Sequence, residues 1–195
     1  MKKFLFALIA VLFVAAQVSA QAPVRIARLP IIFRSRQPDI QTRIDLEVKL
    51  ARAVHIPMNG TLKVAEYITP VDAAKVLGDI WQAMRTVNKK AKIQDAMRPL
   101  AEELDADLIV CPILLNYNET VGGAFTASET YLDSHVRAQL VIYDRRSDSL
   151  VDKKTSRMYH DAMSRFGTAA FLATECFDRL IAETKLRETI IAIGK

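Results

Sequence analysis

The sequence predicts an α/β sandwich: a single domain in which a mixed sheet of about five strands is flanked by helices. Three observations carry that expectation. Leu108 to Leu115 (LIVCPILL) is a continuous apolar run of strand length, Tyr131 to Tyr143 alternates apolar and polar residues, and longer stretches repeat apolar residues at helical spacing. The composition agrees, since 195 residues, 51% hydrophobic and 25% charged, suffice for one sizeable core and exclude a disordered or collagen-like chain.

Residues 1–20 read as a signal peptide and 21–195 as the single α/β domain. Lys2 and Lys3 precede an unbroken apolar stretch from Phe4 to Ala16, and Val18-Ser19-Ala20 ends on a small residue. That stretch is too short for a comfortable membrane span and has the length of a signal-peptide core. Cleavage after Ala20 yields a periplasmic or otherwise extracytoplasmic protein with no stable membrane span; the rival reading is an uncleaved amino-terminal anchor. Loss of the two lysines lowers the net charge from +5 to +3, because the first twenty residues hold no acid.

The elements follow in order. Val24 to Phe33 is β-branched and apolar, with Pro30 demanding an edge, a strand end or a bulge. Pro38-Asp39 opens a helix whose buried stripe is expected at Ile40, Ile44, Val48, Ala51 and His55, and Pro57 with Asn59-Gly60 stops it. Thr61 to Ile68 is the second strand. Thr69-Pro70-Val71-Asp72 then supplies a hydroxyl cap, a first-turn proline and a carboxylate near the helix N-terminus. Ala73, Leu77, Ile80, Trp81 and Met84 mark one face of that helix, which assigns Trp81 to the core. A short helix begins near Pro99, because proline is tolerated only in a first turn, and ends at Asp105-Ala106-Asp107.

LIVCPILL is the strand covered on both faces, with Pro112 predicting a bulge or one unpaired side. Asn116 to Thr130 is polar, contains Gly122-Gly123 and reads as a long hairpin loop. In the Tyr131 strand, Leu132, Ser134, Val136, Ala138, Leu140 and Ile142 face inward. A turn at Asp144 to Ser149 leads to a partner strand, Leu150 to Tyr159. The last helix, from Ala162 to about Leu186, carries Phe166, Ala169, Ala170, Ala173, Phe177, Leu180 and Ile181 on its apolar stripe.

Chemistry-bearing patterns are sparse. Two cysteines exclude a disulfide-dense scaffold and any four-thiolate metal site. Cys111 and Cys176 read as small buried hydrophobes or, in an oxidising compartment, as a disulfide, although nothing in the sequence brings them together. His55, His135 and His160 have no metal-ligand spacing, so neither a metal nor a cofactor is expected. There is no Gly-x-Ser-x-Gly elbow and no phosphate loop. Glu102-Glu103 and the Asp105/Asp107 pair read as a solvated helix-to-strand corner rather than an acid and base. No catalytic residue is assigned, and the chain is not expected to be an enzyme. Basic residues are interleaved with acids, and the one tight cluster, Lys89-Lys90 with Lys92, lacks aromatic neighbours on which bases stack, so nucleic acid is excluded as a partner.

Residues 99–120 (PLAEELDADLIVCPILLNYNET), the Tyr131 to Tyr159 hairpin with VRAQLVIYD, and the final amphipathic helix resemble the amino-terminal domain of TolB and the CsgG-like curli-assembly proteins. The resemblance implies a cell-envelope accessory domain that works by binding another protein or itself. Two departures limit it: the family's secretion channels are lipoproteins, whereas no cysteine stands at the expected mature start, and the Asn116 to Thr130 segment is too short and polar for a membrane-inserted hairpin. The pore function is therefore not carried over, and no functional residue is transferred.

The expected function is an exported, non-catalytic binding or assembly module of the cell envelope, accessory to secretion or outer-membrane assembly. Tyr117, Val121 and Phe125, with the wet face of the Tyr131 strand, are the candidate partner contacts. Folding of Phe125 back onto the core is the equal alternative. The remaining readings are an exported hydrolase with a carboxylate site and a small-ligand carrier.

Overall fold

Two prolines decide where the first strand breaks. In a computed structural model that describes residues 23–56, 65–123 and 130–193, β1 (Val24–Arg28) stops before Pro30 and β2 (Ile32–Phe33) resumes after it. The break lies opposite Cys111-Pro112 of β4 (Leu108–Gly123), because Arg28 pairs with Val110 and Ile32 with Ile113. Pro112 has no N–H to donate, so the gap falls where the ladder has least to lose. The expected unpaired side is found there. The bulge comes later, at Leu115, between the Leu114 and Asn116 register positions.

The helices and remaining strands are α1 (Ile40–Val54), β3 (Ala65–Ile68), α2 (Pro70–Val87), α3 (Met97–Glu103), β5 (Thr130–Asp144), β6 (Ser149–Ala162), α4 (Ala169–Glu183) and α5 (Leu186–Ile193). Short 3-10 turns precede α3 and α4. The sheet has six strands in the order β3-β1-β4-β5-β6, with β2 continuing the β1 position beside β4. β1 runs parallel to β3 and β4, whereas β4, β5 and β6 form an antiparallel meander. The fold is thus the expected mixed α/β architecture. The proposed leader, the Pro57 and Asn59-Gly60 stop, the start of the second strand and Phe125 lie outside the described residues.

The sheet separates two apolar clusters. On one face α1, α4 and α5 pack Leu46, Leu50, Phe177 and Leu180 against Val110, Val136 and Leu140. On the other, α2 and α3 pack Leu77, Met97 and Leu100 against Ile109, Cys111 and Val141. Cys111 and Cys176 belong to opposite clusters and are both free, so the sheet itself stands between them.

Local chemistry places the helix starts. Asp39 caps α1 by accepting from Thr42 N–H at 2.9 Å, and Thr69 caps α2 by accepting from Asp72 N–H at 3.2 Å, with Pro70 at the first helical position. Pro99 falls in the first turn of α3, as expected. Trp81 is half-buried rather than a core residue, and the Arg85 guanidinium lies 5.9 Å from its ring centroid.

Three expectations are corrected. First, α1 buries Thr42, Leu46, Leu50 and Val54, and the Ile40, Ile44, Val48 stripe faces solvent, as do Ala51 and His55. Both sets recur every four residues, and at about 100° per residue they lie roughly 200° apart, so periodicity alone cannot choose between them. Second, residues 116–123 are strand, not loop. Third, the last helix is two helices beginning at Ala169, because β6 runs to Ala162. Thr168 accepts from Phe171 N–H at 3.3 Å to start α4, and Lys185, at φ 50°, divides it from α5. Phe166 is therefore outside the helix and 53% exposed, with the Arg165 guanidinium 4.7 Å from its ring centroid.

Candidate functional site

The meander outruns its helical cover. The cover that α2 and α3 give to one face reaches Ile113, Val141 and Tyr143, while β4, β5 and β6 continue as a three-stranded blade through Gly123, Thr130 and Ala162. The bulge at Leu115 sets which side chains the blade displays, since one extra residue shifts the alternation. Asn116, Asn118 and Thr120 consequently join Asp133, His135 and Arg137 on the uncovered face, and Tyr117, Glu119 and Val121 turn to the helix side with Ser134 and Val136. Polar residues here mark an uncovered sheet face. Gly122, read from sequence as loop flexibility, makes room for its cross-strand neighbour: an added Cβ would stand 2.1 Å from the Tyr131 ring.

The blade is anchored, not loose. Glu119 accepts from Ala169 N–H at 2.6 Å and so caps α4 from β4. Asn116 Nδ2 lies 3.0 Å from His135 Nδ1, and His160 Nδ1 lies 3.7 Å from an Asp133 carboxylate oxygen. Of the three residues singled out in sequence, Tyr117 is half-buried against the core, Val121 is 55% exposed near the blade's end, and Phe125 is not described. Met158, opposite His135 and 74% exposed, is a candidate contact that the sequence reading missed; its strand was predicted, but its outward direction depends on the pairing register.

A second surface lies where β2 ends. On the α1 side, Ile31, Phe33, Ile40, Ile44 and Val48 line a groove of about 440 Å³; on the α2 side, Ile32, Leu77, Trp81 and Ile113 line one of about 360 Å³. The sequence hint was the Ile40, Ile44, Val48 spacing itself, assigned to the wrong side of the helix.

The ionisable groups are largely engaged in holding structure. Asp105 accepts from Arg145 Nη1 at 2.8 Å and from Arg25 Nη1 at 3.2 Å, and these guanidinium groups, Arg145 foremost, hold its carboxyl below the usual range. Burial pushes the Asp107 carboxyl up, but bonds from Arg146 Nε and the Arg25 N–H, each 2.9 Å, outweigh it and leave the group lowered. The helix-to-strand corner is thus a charge-paired clasp between α3, β1 and the β5–β6 turn. Burial pushes the Cys111 thiol up to about 12 and that of Cys176 to about 11, which keeps both in the weakly nucleophilic thiol form. Among the described residues no group of three or more His, Cys, Asp or Glu side chains is placed to hold a metal ion, and no helix is long and apolar enough to cross a membrane.

No protein-family model matches the chain, and no curated protein matches it. Solved structures with a similar arrangement include a hypothetical protein of Chlamydia trachomatis, 13% identical with TM-score 0.47, covering 84% of this chain and 96% of that one. A lipoprotein of Neisseria meningitidis is 16% identical with TM-score 0.39 over 82% of this chain and 99% of its own. The PelC dodecamer of Paraburkholderia phytofirmans is 10% identical with TM-score 0.37 over 82% of this chain and 87% of that one. Likeness at this level assigns neither a family nor a function.

Proposed function

We propose that the protein is an exported, non-catalytic binding module of the cell envelope that docks a protein partner on the blade formed by β4, β5 and β6. The observation that carries this reading is the blade's form: a three-stranded surface tied to the body by the Glu119 cap, with Met158 turned outward on its uncovered face and Val121 exposed near its end on the helix side. Fixed, solvent-facing apolar side chains among hydrogen-bonding groups are what a protein interface uses. The leader-like sequence pattern of residues 1–20 supports export, and the resemblance of residues 99–159 to CsgG-like and TolB amino-terminal domains supports an accessory role in envelope assembly. The commitment of Asp105 and Asp107 to arginine pairs and the raised cysteine thiols favour binding over catalysis.

The test is site-specific photo-cross-linking in cells that export the chain, with the photoreactive residue at position 121 or 158 and, as control, at exposed position 187. A discrete adduct with an envelope protein from 121 or 158, absent from 187, is the expected result. Adducts from 187 alone, or none, refute docking on the blade. Hydrolytic turnover abolished by a single carboxylate substitution favours the hydrolase reading instead.

A further inference from the structure

We propose that the open edge of β2 accepts an extended segment of a partner protein in which a short apolar run is flanked by carboxylates. Among the described residues β2 pairs with β4 alone, because β3, which borders β1, ends at Ile68 opposite Ala27. Arg34 N–H donates to the Leu114 carbonyl at 3.0 Å. Alternation along a parallel strand then turns the N–H and C=O of Phe33 away from β4, toward the open side, where an added strand finds them.

The side-chain requirements follow from the two grooves. They lie on opposite faces of the sheet and meet at Phe33, which lines both. Successive residues of an added strand point to opposite faces, so consecutive apolar residues enter the α1-side and α2-side grooves in turn. The α2-side groove has a bare wall at Gly78, where a Cβ would meet no atom within 4 Å.

Charge selects the flanks. Arg34 and Arg43 line the grooves, Arg85 lies over Trp81, and none of the three forms an ion pair among the described residues. Glu47, the carboxylate lining the α1-side groove, is held by Arg28 and accepts from Ile31 N–H at 2.8 Å. The rim is therefore cationic and suits acids. A second copy is a poor occupant, since its long outer strand β6 presents Lys153 and Lys154, neither ion-paired among the described residues, to this rim.

The experiment is fluorescence anisotropy with fluorescein-labelled peptides of sequence EEVIVLEE, KKVIVLKK and EESTSSEE. The expected result is saturable binding of the first in the micromolar range, weakened by salt, with the other two weaker by at least about tenfold. Gly78→Leu fills the groove from within a helix and removes a poor helix former, so it should weaken EEVIVLEE by at least about tenfold while leaving thermal stability level or higher. Arg34→Glu combined with Arg43→Glu should reverse the preference between acidic and basic flanks. No saturation up to about 1 mM, equal affinity for the two flank types, or unaltered binding by Gly78→Leu overturns the proposal. Blade cross-links from positions 121 and 158 do not depend on this edge, so either assay can fail without the other.

Discussion

Replacing Leu50 and Ile44 separately by alanine tests which side of α1 carries the fold. Leu50 is fully buried in the cluster beneath the sheet, and Ile44, six residues earlier, is 50% exposed. Deleting the Leu50 branch loses about 2.4 kcal/mol of transfer free energy at ~0.8 per methylene, and the cavity left behind brings the cost to about 2–5 kcal/mol. The same deletion at Ile44 removes groups that water already half covers, so the transfer loss is about 1.2 kcal/mol at most, without a cavity. Urea unfolding followed by far-ultraviolet circular dichroism gives both values, provided the m-value is common to parent and variants. A loss at Ile44 equal to or larger than that at Leu50 would show that the helix is turned the other way, and would remove the α1-side groove with it.

Three further outcomes are expected. Phe177→Ala, at a fully buried position of α4, should cost about 3–5 kcal/mol in the same assay, and an unchanged midpoint would contradict the packing of α4 on the sheet. Ser134→Ala removes a buried hydroxyl that has no hydrogen-bond partner among the described residues; stability should stay level or rise by at most about 1–3 kcal/mol, and a clear loss would mean that the hydroxyl is bonded. Asp107 has its carboxyl lowered in the folded state, so its contribution is present above the unfolded value near ~3.9 and is lost as pH falls through the folded one. Asp107→Asn should therefore lower the urea midpoint at pH 7 and converge on the parent as the solution is acidified below about pH 4; a constant gap across that range would assign the loss to shape rather than charge.

The architecture could be read from sequence because its signals were local. The alternation from Leu132 to Ile142, the Thr69-Pro70 start of α2 and the proline-limited first strand each state their structure within a few residues. What escaped depended on partners far along the chain. The two α1 stripes are equivalent until the sheet is present to choose between them. Asn116 to Gly123 has loop-like composition, and only pairing with residues 130–137 makes it a strand. The β2 grooves were illegible for the same reason: Ile32, Trp81 and Ile44 come together from separate elements, and no spacing in the sequence announces their meeting.

The strand order also carries a consequence for how the chain acquires its form. The meander from Leu108 to Ala162 joins neighbours in sequence, so its pairings close short loops at low entropic cost. β1 has no such neighbour: Ile26 finds its β4 partner only at Leu108, after more than a third of the polypeptide has intervened. Until Ala65–Ile68 of β3 and then Leu108 of β4 are in place beside it, VRIARLPIIF has a bare edge open to self-association. A holdase chaperone that shields this stretch is expected to raise the yield of folded protein.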